Sequence, residues 1–424
     1  MASTESVTTV NSATDTPCAR RAAEQAAGTC SKTKEEVGWR RIIRNFTPSW
    51  FAVTMGTGIV SILLRNLPYN LSWVENGLSV AFFIINIVLF TGFTGISIVR
   101  YVLYPEIWIA MMSHPGQSLF LGCFPMGLAT IINMLVMVCS HWGDWVIYLA
   151  WGLWWFDALL SIATCVSVPF FVMHRHRPGL QTVTAAYLLP IVPTVVAAAT
   201  GAIVADVLPS RSHALTTLVA SYVLWGIGQC FSALVLALYL HRLTVHSLPP
   251  REAIVSVFLP IGPLGQGGYG IQQLGKVALK LFPADGAGGV AAVAGTLQSL
   301  RHSGEVLYVL GVFLALCMWG FALVWLSFAL ISLAALQKFP FNMGWWGFTF
   351  PLGVLATCTG MLARDLDSAF FRGLTMVFSL SVCLLWLVVA VNTLRQAVTG
   401  EIFHAPCLKD IREKGQQGGE DRRV

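Results

Sequence analysis

The chain has 424 residues, 56% hydrophobic and only 11% charged, with 15 Trp, 25 Phe and a formal net charge of +6. Soluble domains carry about 25% charged residues, so a water-facing fold of this size would lack polar surface, and the composition assigns the chain to lipid. The positive charge forms no basic stripe interleaved with exposed aromatics, which gives no case for a nucleic-acid partner.

Residues 1–45 are polar, Ser/Thr-rich and basic, with no apolar core of the signal-peptide kind, and read as a disordered tail. Ten apolar segments follow, near 47–66, 77–103, 117–140, 146–172, 182–205, 213–241, 253–275, 304–336, 343–363 and 368–395. Each approaches the ~20 residues that an α-helix needs to cross the hydrocarbon core. The expected organisation is a tail over 1–45, a ten-helix transmembrane transporter domain over 46–396, and a second disordered tail over 397–424.

Lys and Arg set the orientation. With the amino terminus inside, 19 of them fall on the cytoplasmic side and 7 on the other, which predicts two cytoplasmic termini and an even number of spans.

Proline concentrates in the odd spans. The third carries Pro125, the fifth Pro190 and Pro193, the seventh Pro260 and Pro263, and the ninth Pro351, while the first opens at Pro48. Among the even spans only the fourth has one, Pro169. Proline removes a backbone hydrogen bond and kinks a helix, which lipid tolerates only where protein or a wet cavity satisfies the freed carbonyls. The odd spans are therefore expected to be kinked around an interior, with the even spans as a lipid-facing ring.

Polar side chains follow the same alternation. Helical spacing aligns Thr54, Thr57 and Ser61 in the first span, and Met126, Thr130 and Asn133 in the third, where Phe124 precedes the proline. Tyr187 and Thr194 mark the fifth span, Gln266, Tyr269 and Gln273 the seventh, and Trp346, Phe350, Val354 and Thr357 the ninth. Such residues can serve as helix–helix glue. Their recurrence on five alternate helices points instead to five helical hairpins whose first members line a central pore.

The chemistry of that interior is sparse. Asp157 is the only acidic residue deep in a span, and on an even helix it suits either a structural or protomer-contact role or a proton site. Lys276 and Lys280 follow the seventh span, where they can concentrate anions or merely flank the helix. His114 stands before the third span as a loop-ordering residue or a proton site. Kinked helices expose partial helix ends that attract an anion without fixed charge.

Catalysis finds no constellation. Gly265, Gly267 and Gly270 spell G-x-G-x-x-G but follow no strand, and Gly270–Lys276 resembles a phosphate loop except that Val277 replaces its Ser or Thr. Six of the ten cysteines (Cys123, Cys165, Cys230, Cys317, Cys358 and Cys383) lie in spans, and no C-x-x-C pair exists. Neither a metal nor another cofactor is expected.

Four stretches carry a resemblance: "FTPSWFAVTMGTGIVSILL" (46–64), "HPGQSLFLGCFPMG" (114–127), "GPLGQGGYGI" (262–271) and "FNMGWWGFTFPLGV" (341–354). They resemble the tellurite-resistance/dicarboxylate transporter family, whose members include tellurite-resistance proteins, plant slow anion channels, fungal malate permeases and fungal sulfite efflux pumps, most of all the last. The resemblance implies a homotrimer with one pore per protomer, a pore closed by a phenylalanine on the ninth helix, here Phe350, and a small inorganic anion as substrate. The long regulated tails of the plant channels have no match. The expected function is export of sulfite or bisulfite across the plasma membrane. A C4-dicarboxylate permease is the alternative, and a membrane-embedded enzyme a weaker one.

Overall fold

The computed structural model describes residues 38–69, 72–176, 179–282, 302–335, 339–406 and 408. Regular structure among the described residues is entirely helical. A short α1 (Trp39–Arg44) leads into α2 (Phe51–Arg65) and α3 (Ser79–Leu103), and a second short helix, α4 (Glu106–Ser113), precedes α5 (Cys123–Cys139). The remaining helices are α6 (Asp144–Phe171), α7 (Val192–Val207), α8 (Arg211–His246), α9 (Ile261–Leu281), α10 (Ser303–Ala334), α11 (Thr349–Asp365) and α12 (Ala369–Thr399).

Seven of these, with their flanking turns, are long and apolar enough to cross a membrane: α3, α5, α6, α8, α10, α11 and α12. The chain is a multi-pass membrane protein. The long helices outside that set are α2, α7 and α9. With 15 and 16 residues, α2 and α7 span about 22–24 Å, short of the ~30 Å hydrocarbon core. Helix α9 is long enough, but six glycines and three glutamines make it less apolar.

Helix packing separates two populations. Helix α2 packs on α5, α5 on α7, α7 on α9, α9 on α11 and α11 back on α2, which closes a ring of five. Outside it, α3 packs on α2, α6 on α5 and α7, α8 on α7, α10 on α9 and α12 on α11. Burial follows the division. The most apolar stretches of the α5 and α11 segments are 72% and 83% buried, against 11–33% for the five outer helices. Almost every residue of α2, α7 and α9 is buried. This arrangement, with the proline-entered helices innermost, is what a membrane solvent demands of polar side chains and irregular backbone.

The prolines sit at junctions. Each ring helix is entered through 3-10 turns: Pro48–Trp50, Ser118–Gly122, Ala185–Leu188, Arg251–Phe258 and Met343–Phe348. Pro125, Pro193, Pro263 and Pro351 fall in the first α-helical turn that follows, with Pro260 at an N-cap and Pro190 just before α7. A first-turn residue has no internal acceptor for its N–H, so proline costs little there. The change of helix type, placed at these prolines, stands where the sequence suggested a mid-helix kink.

Close packing within the ring uses glycine. A Cβ on Gly265 would lie 2.8 Å from the Leu355 backbone nitrogen, so α9 and α11 touch backbone to backbone. A Cβ on Gly58 would run into the Thr130 side chain, so glycine there lets the α2 backbone seat a side chain of α5.

The segments around Asn45 and Ala405 meet at one face. Residues 39–44, expected to belong to the tail, form α1, and α12 runs on to Thr399. Beyond it Phe403 stacks on Trp50 at 5.2 Å, and the Ala405 backbone N–H donates to Asn45 Oδ1 at 3.0 Å. The expected disordered stretches 1–37 and 409–424 lie outside the described residues.

Candidate functional site

The five ring helices run parallel and enclose three spaces in order along their length. At their N-terminal ends lies a chamber of about 800 Å³, lined by residues at or before the start of each helix, among them Ala52, Gln117, Tyr187, Ser256 and Gly347. At their C-terminal ends lies a chamber of about 320 Å³, which includes Asn66, Ser140, Gln273, Lys276 and Arg364. Between them is a cavity of about 20 Å³.

That small cavity takes two residues from each ring helix: Ile59 and Ile62 from α2, Thr130 and Asn133 from α5, Val196 and Ile203 from α7, Gln266 and Tyr269 from α9, Phe350 and Thr357 from α11. No charged side chain lines it among the described residues. Its volume is about that of one water probe, too small for a hydrated anion. Helix α11 shows the sequence of spaces most clearly. Gly347 faces the N-terminal chamber, Phe350 and Thr357 the central cavity, and Met361 and Arg364 the C-terminal chamber. Phe350, 3% exposed, lines the cavity one turn beyond Gly347.

Hydrogen bonding tunes the lining. Thr130 Oγ1 donates to the Gly127 carbonyl at 2.7 Å and receives Asn86 Nδ2 from α3 at 3.0 Å. Thr357 Oγ1 donates to the Val354 carbonyl at 2.9 Å. Asn133 Oδ1 is buried without a partner among the described residues. The lining thus offers hydroxyls and amides rather than ions.

Of the residues singled out from sequence, Thr130, Asn133, Gln266, Tyr269, Phe350 and Thr357 meet around this cavity, and Gln273 and Lys276 line the C-terminal chamber. The others lie elsewhere. Thr54 Oγ1 donates to the Phe51 carbonyl at 2.8 Å and abuts Gly127. Thr57 Oγ1 accepts Trp386 Nε1 from α12 at 3.0 Å, and the Ser61 carbonyl accepts the Ser79 hydroxyl at 3.0 Å. Thr54 and Thr57 therefore face neighbouring helices and the Ser61 hydroxyl turns back on its own helix at the Gly58 carbonyl, while Ile59 and Ile62 face the cavity. Phe124 packs between Phe51 and Phe90, 5.0 Å from each. Thr194 abuts Gly228 of α8, and Trp346 Nε1 donates to Thr393 Oγ1 at 3.1 Å. These are interhelical contacts of the glue type.

Three ionisable candidates resolve differently. His114 Nδ1 accepts the backbone N–H groups of Gly116 (3.1 Å) and Gln117 (3.2 Å), which orders the turn at the rim of the large chamber. Asp157 is fully buried on α6, so it presents nothing to a neighbouring protomer, and neither carboxyl oxygen has a partner among the described residues. Lys276 Nζ is 2.9 Å from Asp365 Oδ1, which neutralises it. Sequence reasoning missed Ile59, Ile62, Val196 and Ile203, because apolar lining carries the same signal as apolar core. It counted Arg364 only among the seven charges of the far side, although its place one turn beyond Met361 and two beyond Thr357 on α11 offered the clue.

A closed ring of parallel helices around aligned chambers defines a membrane protein of the channel and transporter class. The sequence model of the voltage-dependent anion channel family matches residues 45–394, and the chain belongs to that family. It is 49% identical over 363 residues to the sulfite efflux pump of Arthroderma otae, covering 85% of this chain and 93% of the relative. The sulfite efflux pump of Trichophyton rubrum is 48% identical with the same coverage. The malic acid transport protein of Schizosaccharomyces pombe is 24% identical over 368 residues, covering 85% of this chain and 81% of the relative. Family and relatives are transporters and channels, not enzymes.

Proposed function

We propose that this protein exports sulfite, as the mono- or dianion, across the plasma membrane. In this reading ten spans form five helical hairpins, both termini are cytoplasmic, and three protomers assemble with one pore each. The observation that carries the proposal is the central cavity: five helices each contribute to it, its lining mixes hydroxyls and amides with apolar side chains and carries no charge, and Phe350 is among the residues that line it. The N-terminal ends of all five ring helices surround the large chamber, and their dipoles supply partial positive charge to an anion arriving from the cytoplasm. Weak distributed contacts then let the ion leave as readily as it enters. The shared face of the segments around Asn45 and Ala405 fits an even number of spans, and the charge bias of the loops places that face inside.

Phe350 is the gate of this pathway, and Thr130, Asn133, Gln266, Tyr269 and Thr357 are its lining. The test is sulfite efflux from proteoliposomes, with malate as control. Sulfite flux above protein-free vesicles is expected, and flux of malate alone would transfer the protein to the dicarboxylate reading. That second reading is disfavoured because a C4 dianion would be expected to meet a cation in the narrow section, and none lines it.

A further inference from the structure

The chamber at the C-terminal ends of the ring helices contains a charge that its own residues leave unanswered. Lys276 is held by Asp365, which is 3% exposed, at 2.9 Å. Lys280 is held by Asp206 at 3.0 Å. Arg364 has no carboxylate within salt-bridge distance among the described residues, and its one hydrogen-bond partner is the Met361 thioether, 3.8 Å from Nη2. A thioether is a weak acceptor, and a guanidinium has five N–H donors in a planar fork that fits oxyanions.

The surroundings suit such a ligand. Asn66, Ser140, Tyr269 and Gln273 line the same chamber as Arg364, all with groups able to hydrogen-bond an oxygen. Tyr269 lines both this chamber and the central cavity. Tyr269 thus joins the uncharged cavity to the chamber in which Arg364 is, among the described residues, the one lining cation without a carboxylate partner.

We propose that Arg364, with Tyr269 and Gln273, forms an oxyanion-binding station that takes a singly charged anion as it leaves the cavity. The two lysine–carboxylate pairs cancel, so the chamber carries one net positive charge, which neutralises bisulfite or nitrate but leaves a dianion with excess charge. The Lys276–Asp365 pair sets this selectivity by keeping the second cation occupied. The station's place on an exit route rests on the export reading, whereas its binding of anion does not.

Calorimetric titration of the purified protein in lipid nanodiscs tests the station, with nitrate and bisulfite as monoanions and sulfate as dianion at constant ionic strength. The wild type is expected to bind the monoanions more tightly than sulfate. Arg364→Gln is expected to weaken monoanion binding about tenfold, the loss of one charged hydrogen-bonding group, and Arg364→Lys to weaken it less. Asp365→Asn, which frees Lys276, is expected to tighten sulfate more than nitrate. Should Arg364→Gln fail to elute as an assembled protein, Arg364→Lys and Asp365→Asn carry the test. Absence of wild-type binding, or equal binding by wild type and the assembled Arg364 variants, overturns the station. Sulfate bound as tightly as nitrate by the wild type overturns its selectivity. Arg364-dependent binding in a protein that moves no sulfite upholds the station and rejects the export reading, and sulfite export with Arg364-independent binding does the reverse.

Discussion

Replacing Phe350 with alanine separates a gate from a packing residue. The ring is 3% exposed and borders a cavity of about 20 Å³. Truncation removes the six ring carbons and frees roughly 100 Å³, room for about three waters at ~30 Å³ each. A four-heavy-atom oxyanion then fits where it did not before. If the closed ring restricts the open state to the ~0.1–10% range of an ordinary minor conformer, its removal raises sulfite flux about tenfold or more. As pure core packing, the same change would cost about 3–5 kcal/mol and leave flux per folded protein unchanged. Sulfite efflux from proteoliposomes, normalised to protein that elutes as the wild type does, distinguishes the two. Wild-type or lower flux in well-folded Phe350→Ala would refute the gate.

Gln266→Leu and Tyr269→Phe should each lower flux several-fold without loss of assembly, since each removes one polar group from the cavity wall; wild-type flux in both would take α9 out of the pathway. Thr57→Val should behave oppositely: it strands the Trp386 indole N–H that now donates at 3.0 Å, costs about 1–3 kcal/mol, lowers the melting temperature in detergent, and spares flux per folded molecule. Gly265→Ala should destabilise by about 1–3 kcal/mol through overpacking, because its methyl group would lie 2.8 Å from the Leu355 nitrogen, and a melting temperature equal to wild type would contradict the backbone contact of α9 with α11.

Particular residues show how far sequence reading reached. On α5, α9 and α11 part of the stripe does fall on the cavity face: Thr130 and Asn133, Gln266 and Tyr269, and Phe350 and Thr357 all line it. On α2 it does not. Thr54, Thr57 and Ser61 satisfy their hydroxyls on carbonyls three or four residues back, a local bond that leaves a side chain free to face any neighbour. Nothing in the spacing of three hydroxyls tells whether a tryptophan or an empty space stands opposite. The same holds for Lys276, whose partner Asp365 is 89 positions away in the chain.

Hydropathy, the scarcity of charge and the crowding of proline and glycine into alternate segments were enough to establish a membrane protein whose proline-bearing helices belong inside, because lipid admits polar groups and irregular backbone only there. Which face of each helix meets the central space, which cation is left over and where each proline turns the backbone are consequences of contacts between distant segments. Those were decided by packing, since a one-dimensional pattern fixes a helix but not its rotation about its own axis.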